Sequence, residues 1–471
     1  MNLDSVKDLV GKFEQFGQGH VFNRFKDLSA PQQLDFLKRA SLIDLDNLAT
    51  LVNTVRSQEI ESEIHTHLKP VNQLLQSFPK EHYEDYKEFI IKGEEMIRQG
   101  RVSALLAAGG DGTRLGFSGP KGMLPVTLIK KKSLFQLFAE QIQLAQKRYQ
   151  STIPWFIMTS EGNHDLTNQF FLDNNYFGLQ EVYFFRQNLC AVLDFDGKLI
   201  LDENGLIAMA PDGHGGCFNA LASNGLLEKM ELLGIDILSY FQVDNPLVKC
   251  IDPLFIGLHV LSKAEMSCKG VKKRNASERV GIFCQDHETV KVVEYSQVSQ
   301  KMLEMEDVQG ELMFNIGNTG IHLMNRDFIQ KINNSNPLHF YKTKKKVTFL
   351  DRDKAIVIPA EPNAYKFERL IFDALPEAEN VVLLEVARKE EFSPIKNAEG
   401  DDSLESFKKD QLCLYIEWLK KVHIDVPCGE DTIPVFNIEI SPFFADNQSA
   451  FIEKWQSLAQ KPEILTEIYL E

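Results

Sequence analysis

The stretch Leu105-Leu106-Ala107-Ala108-Gly109-Gly110-Asp111-Gly112-Thr113-Arg114-Leu115-Gly116, with Pro120-Lys121-Gly122 shortly after it, decides how this chain is read. An apolar run stops in a loop with three glycines in four positions, where backbone N–H groups can approach an anion with no Cβ in the way. Arg114 adds a planar fork of donors and Lys121 a second positive charge, which is what a triphosphate or pyrophosphate needs for neutralisation. Two better-known glycine loops do not fit. A Walker loop ends in Gly-Lys-Ser/Thr, whereas Lys121 lies between Pro120 and Gly122, with no hydroxyl to hold magnesium. A dinucleotide fingerprint places its third glycine three residues after the second, and here Gly116 lies four after Gly112. The ordinary alternative is a turn whose glycines merely take positive φ. Thr113-Arg114 and Pro120-Lys121 at this spacing favour a phosphate site.

Outward from the loop the pattern is that of an α/β nucleotide-binding core. Val102–Ala108, Trp155–Thr159, Val182–Phe185 and Leu238–Val243 are short apolar runs without the alternation of a half-wet strand, so they predict buried, largely parallel strands with helices on both faces. Ser133-Leu134-Phe135-Gln136 predicts a capping box opening a helix to about Gln146. In such sheets ligands sit beyond the carboxyl ends of strands, and both Gly109–Lys121 and Asp244 directly follow predicted strands. Residues 1–100 predict a helical N-terminal region, with Leu34, Phe36, Leu37, Ala40, Phe89 and Ile90 at helical spacing and no catalytic constellation. Residues 101–385 form the catalytic domain in this reading. Residues 386–471 form a small C-terminal domain that includes the polar linker Asn397–Ser403.

Composition sets the outer limits. At 471 residues and 44% hydrophobic content the chain can bury a large core. Its 51 basic and 67 acidic residues leave a net charge of −16, which argues against a nucleic-acid partner. Lys130-Lys131-Lys132, Lys272-Lys273-Arg274 and Lys344-Lys345-Lys346 read as solvated surface. Seven cysteines, at 190, 217, 250, 268, 284, 413 and 428, show no C-x-x-C pair, so reduced thiols in a cytoplasmic protein are expected. Charges interrupt every apolar run near Met1, so neither a signal peptide nor a membrane span is predicted.

The glycine loop resembles the signature of sugar nucleotidyltransferases, specifically the UTP-dependent sugar-1-phosphate uridylyltransferase family and, within it, the eukaryotic-type UDP-N-acetylglucosamine pyrophosphorylases. Further segments fit in chain order: Ile153–Ser160, Met209-Ala210-Pro211-Asp212-Gly213-His214-Gly215-Gly216, Gln242-Val243-Asp244-Asn245, Val293–Ser296, Phe314–Asn318, Glu391–Ala398 and Glu439–Pro442. The likeness spans roughly residues 30 to 442. It implies a Rossmann-like nucleotidyltransferase core with a mostly parallel mixed sheet, a helical N-terminal region and a small C-terminal β-containing domain. It also implies UTP and a sugar 1-phosphate as substrates, Mg²⁺ as cofactor, and no nucleic acid or membrane partner. Composition and motifs assign no oligomeric state.

Carried over residue by residue, the resemblance places Gly109, Gly110, Gly112 and Thr113 on the nucleotide phosphates, with Gln187 on uracil and Gly213 and His214 on uridine and sugar. Asp244 is implied as the Mg²⁺ ligand. That fits the preference of a hard cation for a strand-end carboxylate, although such an aspartate can also simply cap a turn. Gly281, Glu294, Asn315, Asn318 and His214 are implied as sugar-binding walls, with Phe372 as an apolar wall, and Lys396 as the residue reaching the sugar phosphate. Arg114, Lys121 and Lys396 are then the catalytic residues, neutralising charge while the sugar phosphate attacks the α-phosphorus of UTP. Two features keep alternatives open. Position 214 is usually Asn in the acetylhexosamine enzymes, and His in a similar loop is more typical of UDP-glucose and broad UDP-sugar pyrophosphorylases. A UDP-sugar-dependent glycosyltransferase is a further alternative, against which Val243-Asp244-Asn245 lacks the usual Asp-x-Asp. An inactive binding relative is another, against which Arg114 and Lys121 are both present.

Overall fold

The structure, a computed structural model, describes residues 3–56, 67–72, 75–76, 83–335, 338–351, 355–424, 426, 437–461 and 467–471. By contacts the chain divides into two compact units. One comprises Met1–Thr66, Gln187–Ala220 and Asn336–Asp373, the other His67–Arg186, Leu221–Ser335 and Ala374–Glu471. These units cut across the consecutive segments 1–100, 101–385 and 386–471 expected from the sequence.

The larger unit is built on a mixed sheet. Along its path the strands run Leu75–Gln76, Val381–Glu385, Met266–Lys272, Ile316–Asn325, Ile237–Gln242, Val102–Ala107, Trp155–Thr159 and Val182–Arg186. Five of these seven pairings are parallel; only Ile316–Asn325 runs against its two neighbours. Along this path the sheet is thus mostly parallel, and its four predicted strands end within one or two residues of the expected positions. Val102–Ala107, Trp155–Thr159 and Ile237–Gln242 are almost wholly buried, which is why they lack a polar alternation. Ser133 caps the helix Leu134–Tyr149, its Oγ accepting from the Gln136 N–H at 3.1 Å. The expected box is half made, because Gln136 Nε2 donates to Glu140 at 3.0 Å. Phe138 from this helix packs edge-to-face on Phe241 at 5.3 Å, and Phe171 does the same on Trp155 at 5.5 Å.

Register places the functional loops. Ala107 pairs with Gln242 and with Met158, and the Val243 N–H donates to Ala107 O at 3.1 Å. The glycine loop, Asp244 and the Ser160–Asn163 turn therefore leave the sheet side by side, at the carboxyl ends of adjacent parallel strands. Towards the end of the chain the strands Asn437–Ile440 and Glu467–Leu470 pair in parallel, and with the helix Leu404–Lys421 they bury a separate apolar cluster that includes Trp418, Phe451 and Trp455.

In the smaller unit the helices Leu3–Gln15, Ala30–Leu42 and Leu45–Arg56 turn Phe13, Phe36, Leu48 and Leu51 onto Leu193, Leu199 and Phe367. Leu34, expected on the buried face, is 68% exposed, because the apolar stripe of its helix is centred on Phe36, Leu37 and Ala40. The strands Tyr341–Lys345, Ala364–Glu368 and Leu193–Asp194 form a small sheet there, and Leu189–Ala191 pairs with Met209–Pro211. Two lysines read as solvated surface are in fact buried. Lys132 forms a 2.7 Å ion pair with Glu140, and Lys273 donates to Ala276 O at 3.2 Å. No described helix is long and apolar enough to cross a membrane.

Candidate functional site

The predicted site residues gather in two groups, one in each unit. In the larger unit the glycine loop leaves Ala107 and closes on itself. The Gly112 N–H donates to Gly119 O at 2.8 Å and the Lys121 N–H to Gly110 O at 3.1 Å, bridging Asp111 and Pro120. Gly109, Gly110 and Gly112 do not take positive φ, so a turn needing left-handed residues does not explain them. At Gly112 a Cβ would come within 2.7 Å of the Phe117 ring, while around Gly110 nothing lies within 4 Å. Gly110 thus presents open backbone, and among the described residues the N–H groups of Gly109 and Gly110 have no backbone partner. Thr113 and Arg114, in the following 3-10 turn, are exposed.

Sequence reasoning missed Asn163. It is buried to 1% exposure, accepts from the Ser160 N–H at 2.8 Å, and donates through Nδ2 to Ala108 O at 3.0 Å and Gly110 O at 3.4 Å. Drawing these two carbonyls inward leaves the loop amides to face an anion. A lone asparagine after an apolar strand carries no signal of this, since its partners are fixed only by the parallel register.

Lys121, Asp244 and Lys396 form the charged centre of this group. Lys121 Nζ donates to Ile395 O at 3.2 Å, and the Ile395 N–H to Asp244 O at 2.7 Å. Lys396 Nζ lies 3.8 Å from Asp244 Oδ2. Burial holds the Lys121 ammonium below the ordinary lysine range; Asp244 opposes this, while Lys396 and Arg114 push the same way. Two lysine ammonium groups thus stand beside the single carboxylate of Asp244, an excess of positive charge that a further anion would relieve.

Asp244 has a single ion-pair partner among the described residues, and no group of three or more His, Cys, Asp or Glu is placed to hold a metal there. One carboxylate nevertheless fits a magnesium-type site, which takes one or two carboxylates and completes its shell with water and substrate phosphates.

Four predicted sugar-side residues share one region of the same sheet. Ile282 pairs with both Val293 and Gly317, which brings Gly281 beside Glu294; a Cβ on Gly281 would stand 3.2 Å from Glu294 Oε1. The Asn318 N–H donates to Gly281 O at 2.7 Å, and Asn315 O accepts from the Lys273 N–H at 2.7 Å. Burial raises the Glu294 carboxyl, with Lys396 pulling it back.

In the smaller unit Gln187, Gly213, His214 and Phe372 come together. Gln187 Nε2 donates to Gly213 O at 2.7 Å. Gly213 has φ +84, and a Cβ there would meet Arg369 O at 2.4 Å, so no other residue fits. His214 Nδ1 accepts from the Ile371 N–H at 3.2 Å, which makes the neutral ring the Nε2–H tautomer. Its ring lies 5.9 Å from that of Phe372. Beneath the loop sits Asp212, 3% exposed, whose backbone carbonyl accepts from the Arg369 N–H at 2.7 Å.

Burial pushes the Asp212 carboxyl up from 3.8 to about 7, against the pull of Arg369. A folded-state value above the unfolded one means stability that is full below 3.8 and lost as pH rises through about 7. Asp212→Asn is therefore expected to unfold several degrees higher than the wild type at pH 8, with the gap opening between pH 4 and 7. Equal melting temperatures at pH 8 would contradict this.

A family model described as UTP–glucose-1-phosphate uridylyltransferase matches residues 52–414 of this chain. The UDP-N-acetylhexosamine pyrophosphorylase-like protein 1 of Xenopus tropicalis is 37% identical over 417 residues, covering 85% of this chain and 82% of that protein. The UDP-N-acetylglucosamine pyrophosphorylase of Saccharomyces cerevisiae is 34% identical over 438 residues, covering 88% and 91%. For the fold, the crystal structure of the uridine diphosphate N-acetylglucosamine pyrophosphorylase from Trypanosoma brucei superposes with a TM-score of 0.82 at 24% identity, covering all of this chain and 98% of that one.

Proposed function

Because the chain belongs to the UTP–glucose-1-phosphate uridylyltransferase family, we propose that it is an enzyme making UDP-N-acetylglucosamine and pyrophosphate from UTP and N-acetylglucosamine 1-phosphate. The gathering of Lys121, Asp244 and Lys396 beside the glycine loop, which also carries Arg114, carries the reading. The relatives named for N-acetylglucosamine and N-acetylhexosamine support the sugar.

An oxygen of the sugar phosphate forms a bond to the α-phosphorus of UTP as the bond from that phosphorus to the β-phosphate oxygen breaks, and pyrophosphate leaves. The attacking phosphate is already anionic, so no nucleophilic side chain is needed. The protein supplies position and charge. The Gly109 and Gly110 amides, Thr113, Arg114 and Lys121 hold the departing phosphates, and Lys396 steers the incoming one. Asp244 holds a divalent cation, Mg²⁺ in this reading, which when bound adds charge neutralisation on the phosphates. Gln187 and Gly213 are assigned to the uridine. His214, Gly281, Glu294, Asn315, Asn318 and Phe372 are assigned to the sugar. Cys190, Cys217, Cys250, Cys268 and Cys284 are buried free thiols, in keeping with a cytoplasmic setting.

The test is pyrophosphate release from UTP with a panel of sugar 1-phosphates. N-acetylglucosamine 1-phosphate is expected to exceed glucose 1-phosphate in kcat/KM, and a glycosyltransferase would release no pyrophosphate. His214→Asn is expected to widen the preference, since a carboxamide offers donor and acceptor together where this imidazole spends Nδ1 on Ile371. Comparable use of glucose 1-phosphate by the wild type would reassign the sugar while leaving the uridylyl transfer intact.

A further inference from the structure

We infer that Glu391 is a positioning residue for Lys396: a buried carboxylate, gripped by two lysines, from which the segment carrying Lys396 is hung. The inference rests on the reaction proposed above. Glu391 ends the short helix Arg388–Glu391 and is 3% exposed. Both its oxygens are taken. Oε1 accepts from Lys249 Nζ at 2.9 Å and Oε2 from Lys269 Nζ at 2.5 Å. Lys269, on the strand Met266–Lys272, is fully buried and also pairs with Asp252 at 2.6 Å, at the cap of the helix Pro253–Leu261.

Burying the charges of Lys269 and Glu391, with Asp252 and Lys249 half-buried beside them, is a poor way to gain stability, because apolar residues of the same volume generally do as well or better. What the cluster supplies instead is a fixed point, since a carboxylate bound from two sides on two different elements can neither rotate nor slide. The chain then runs five residues from Glu391 to Lys396 and is pinned along the way. Asn245, 2% exposed and next to Asp244, donates to Glu391 O at 2.7 Å and accepts from the Ser393 N–H at 3.1 Å. Ser393 Oγ donates to Asp410 at 2.7 Å, and the Ile395 N–H to Asp244 O at 2.7 Å. At the end of this run Lys396 is exposed, with its ammonium 3.8 Å from Asp244. Long lysine side chains are mobile, so the backbone beneath one decides where its charge is found. Displacements of about 1 Å at such a group can cost on the order of 10²-fold in rate.

A double-mutant cycle on pyrophosphate release from UTP and N-acetylglucosamine 1-phosphate tests this. Glu391→Gln is expected to lower kcat/KM by about tenfold or more in the wild type and by less than about twofold in Lys396→Ala, because a residue that acts through another loses its effect when the other is gone. A merely structural role would give the same fold-loss in both backgrounds, and that result overturns the inference. If Glu391→Gln fails to fold, Lys249→Met and Ser393→Ala carry the same cycle with the same expected coupling. A large loss in Lys396→Ala with additive effects elsewhere sinks the clamp alone, whereas an undiminished Lys396→Ala sinks the role of Lys396 and the inference with it.

Discussion

Lys121→Ala is expected to lower kcat by about 10²-fold or more with the fold intact, the scale set by losing one preorganised charge at a transition state. Lys121 is anchored from both ends: its N–H closes the glycine loop onto Gly110 and its ammonium reaches Ile395 O at 3.2 Å. Removing the side chain leaves the backbone closure in place, so melting temperature should change little while turnover falls. Arg114→Ala should behave similarly, although Arg114 is exposed and its loss falls more on the departing pyrophosphate than on local packing. A second readout separates charge from bulk. Because burial, Lys396 and Arg114 depress the Lys121 ammonium, kcat/KM should fall on the alkaline side at a lower pH than an ordinary lysine would give. Lys121→Arg, always charged, should move that limb upward even where it slows the reaction. Near-normal turnover in folded Lys121→Ala would remove this residue from the chemistry.

The strands were legible because burial on both faces leaves a mark no single partner can hide, an apolar run that ends where the chain meets a loop. Val102–Ala107, Trp155–Thr159 and Ile237–Gln242 all end nearly where their runs do. The closed glycine loop was legible for a related reason, since closure of a glycine loop is local chemistry. The antiparallel strand Ile316–Asn325, set among parallel neighbours, left no such mark, because direction is a property of the connection and not of the run. The grouping of Met1–Thr66 with 187–220 and 336–373 was equally hidden, for an amphipathic helix shows that it buries Phe13 or Phe36 without showing against what. Single polar residues were the hardest. Asn163, Asn245 and Glu391 carry no sign of their partners until the fold brings Gly110, Ser393 and Lys269 to them. Lys132 was misread for the same reason, its partner Glu140 lying about two helical turns beyond the cap Ser133.

Asp244→Ala is expected to slow turnover strongly and to raise the Mg²⁺ concentration needed for half-maximal activity, with chelator silencing the wild type. The expectation follows from what surrounds the carboxylate. Its strand pairs in register with the one feeding the glycine loop, its backbone carbonyl is fixed by Ile395, and its oxygens meet one cation, Lys396, at a separation too long for a hydrogen bond. A carboxylate built only to satisfy Lys396 would be expected at hydrogen-bonding distance. One held back at 3.8 Å, beside a loop of open amides, has room for a small hard cation and the phosphates that complete its shell. Two substitutions separate the roles. Asp244→Asn keeps the volume and one oxygen while removing the charge, so it should weaken the magnesium response almost as far as alanine does; Lys396→Ala should leave the magnesium midpoint in place and lower the rate. If the magnesium titration of Asp244→Asn overlays that of the wild type while the rate is reduced, Asp244 acts on the lysines alone and the cation is held elsewhere.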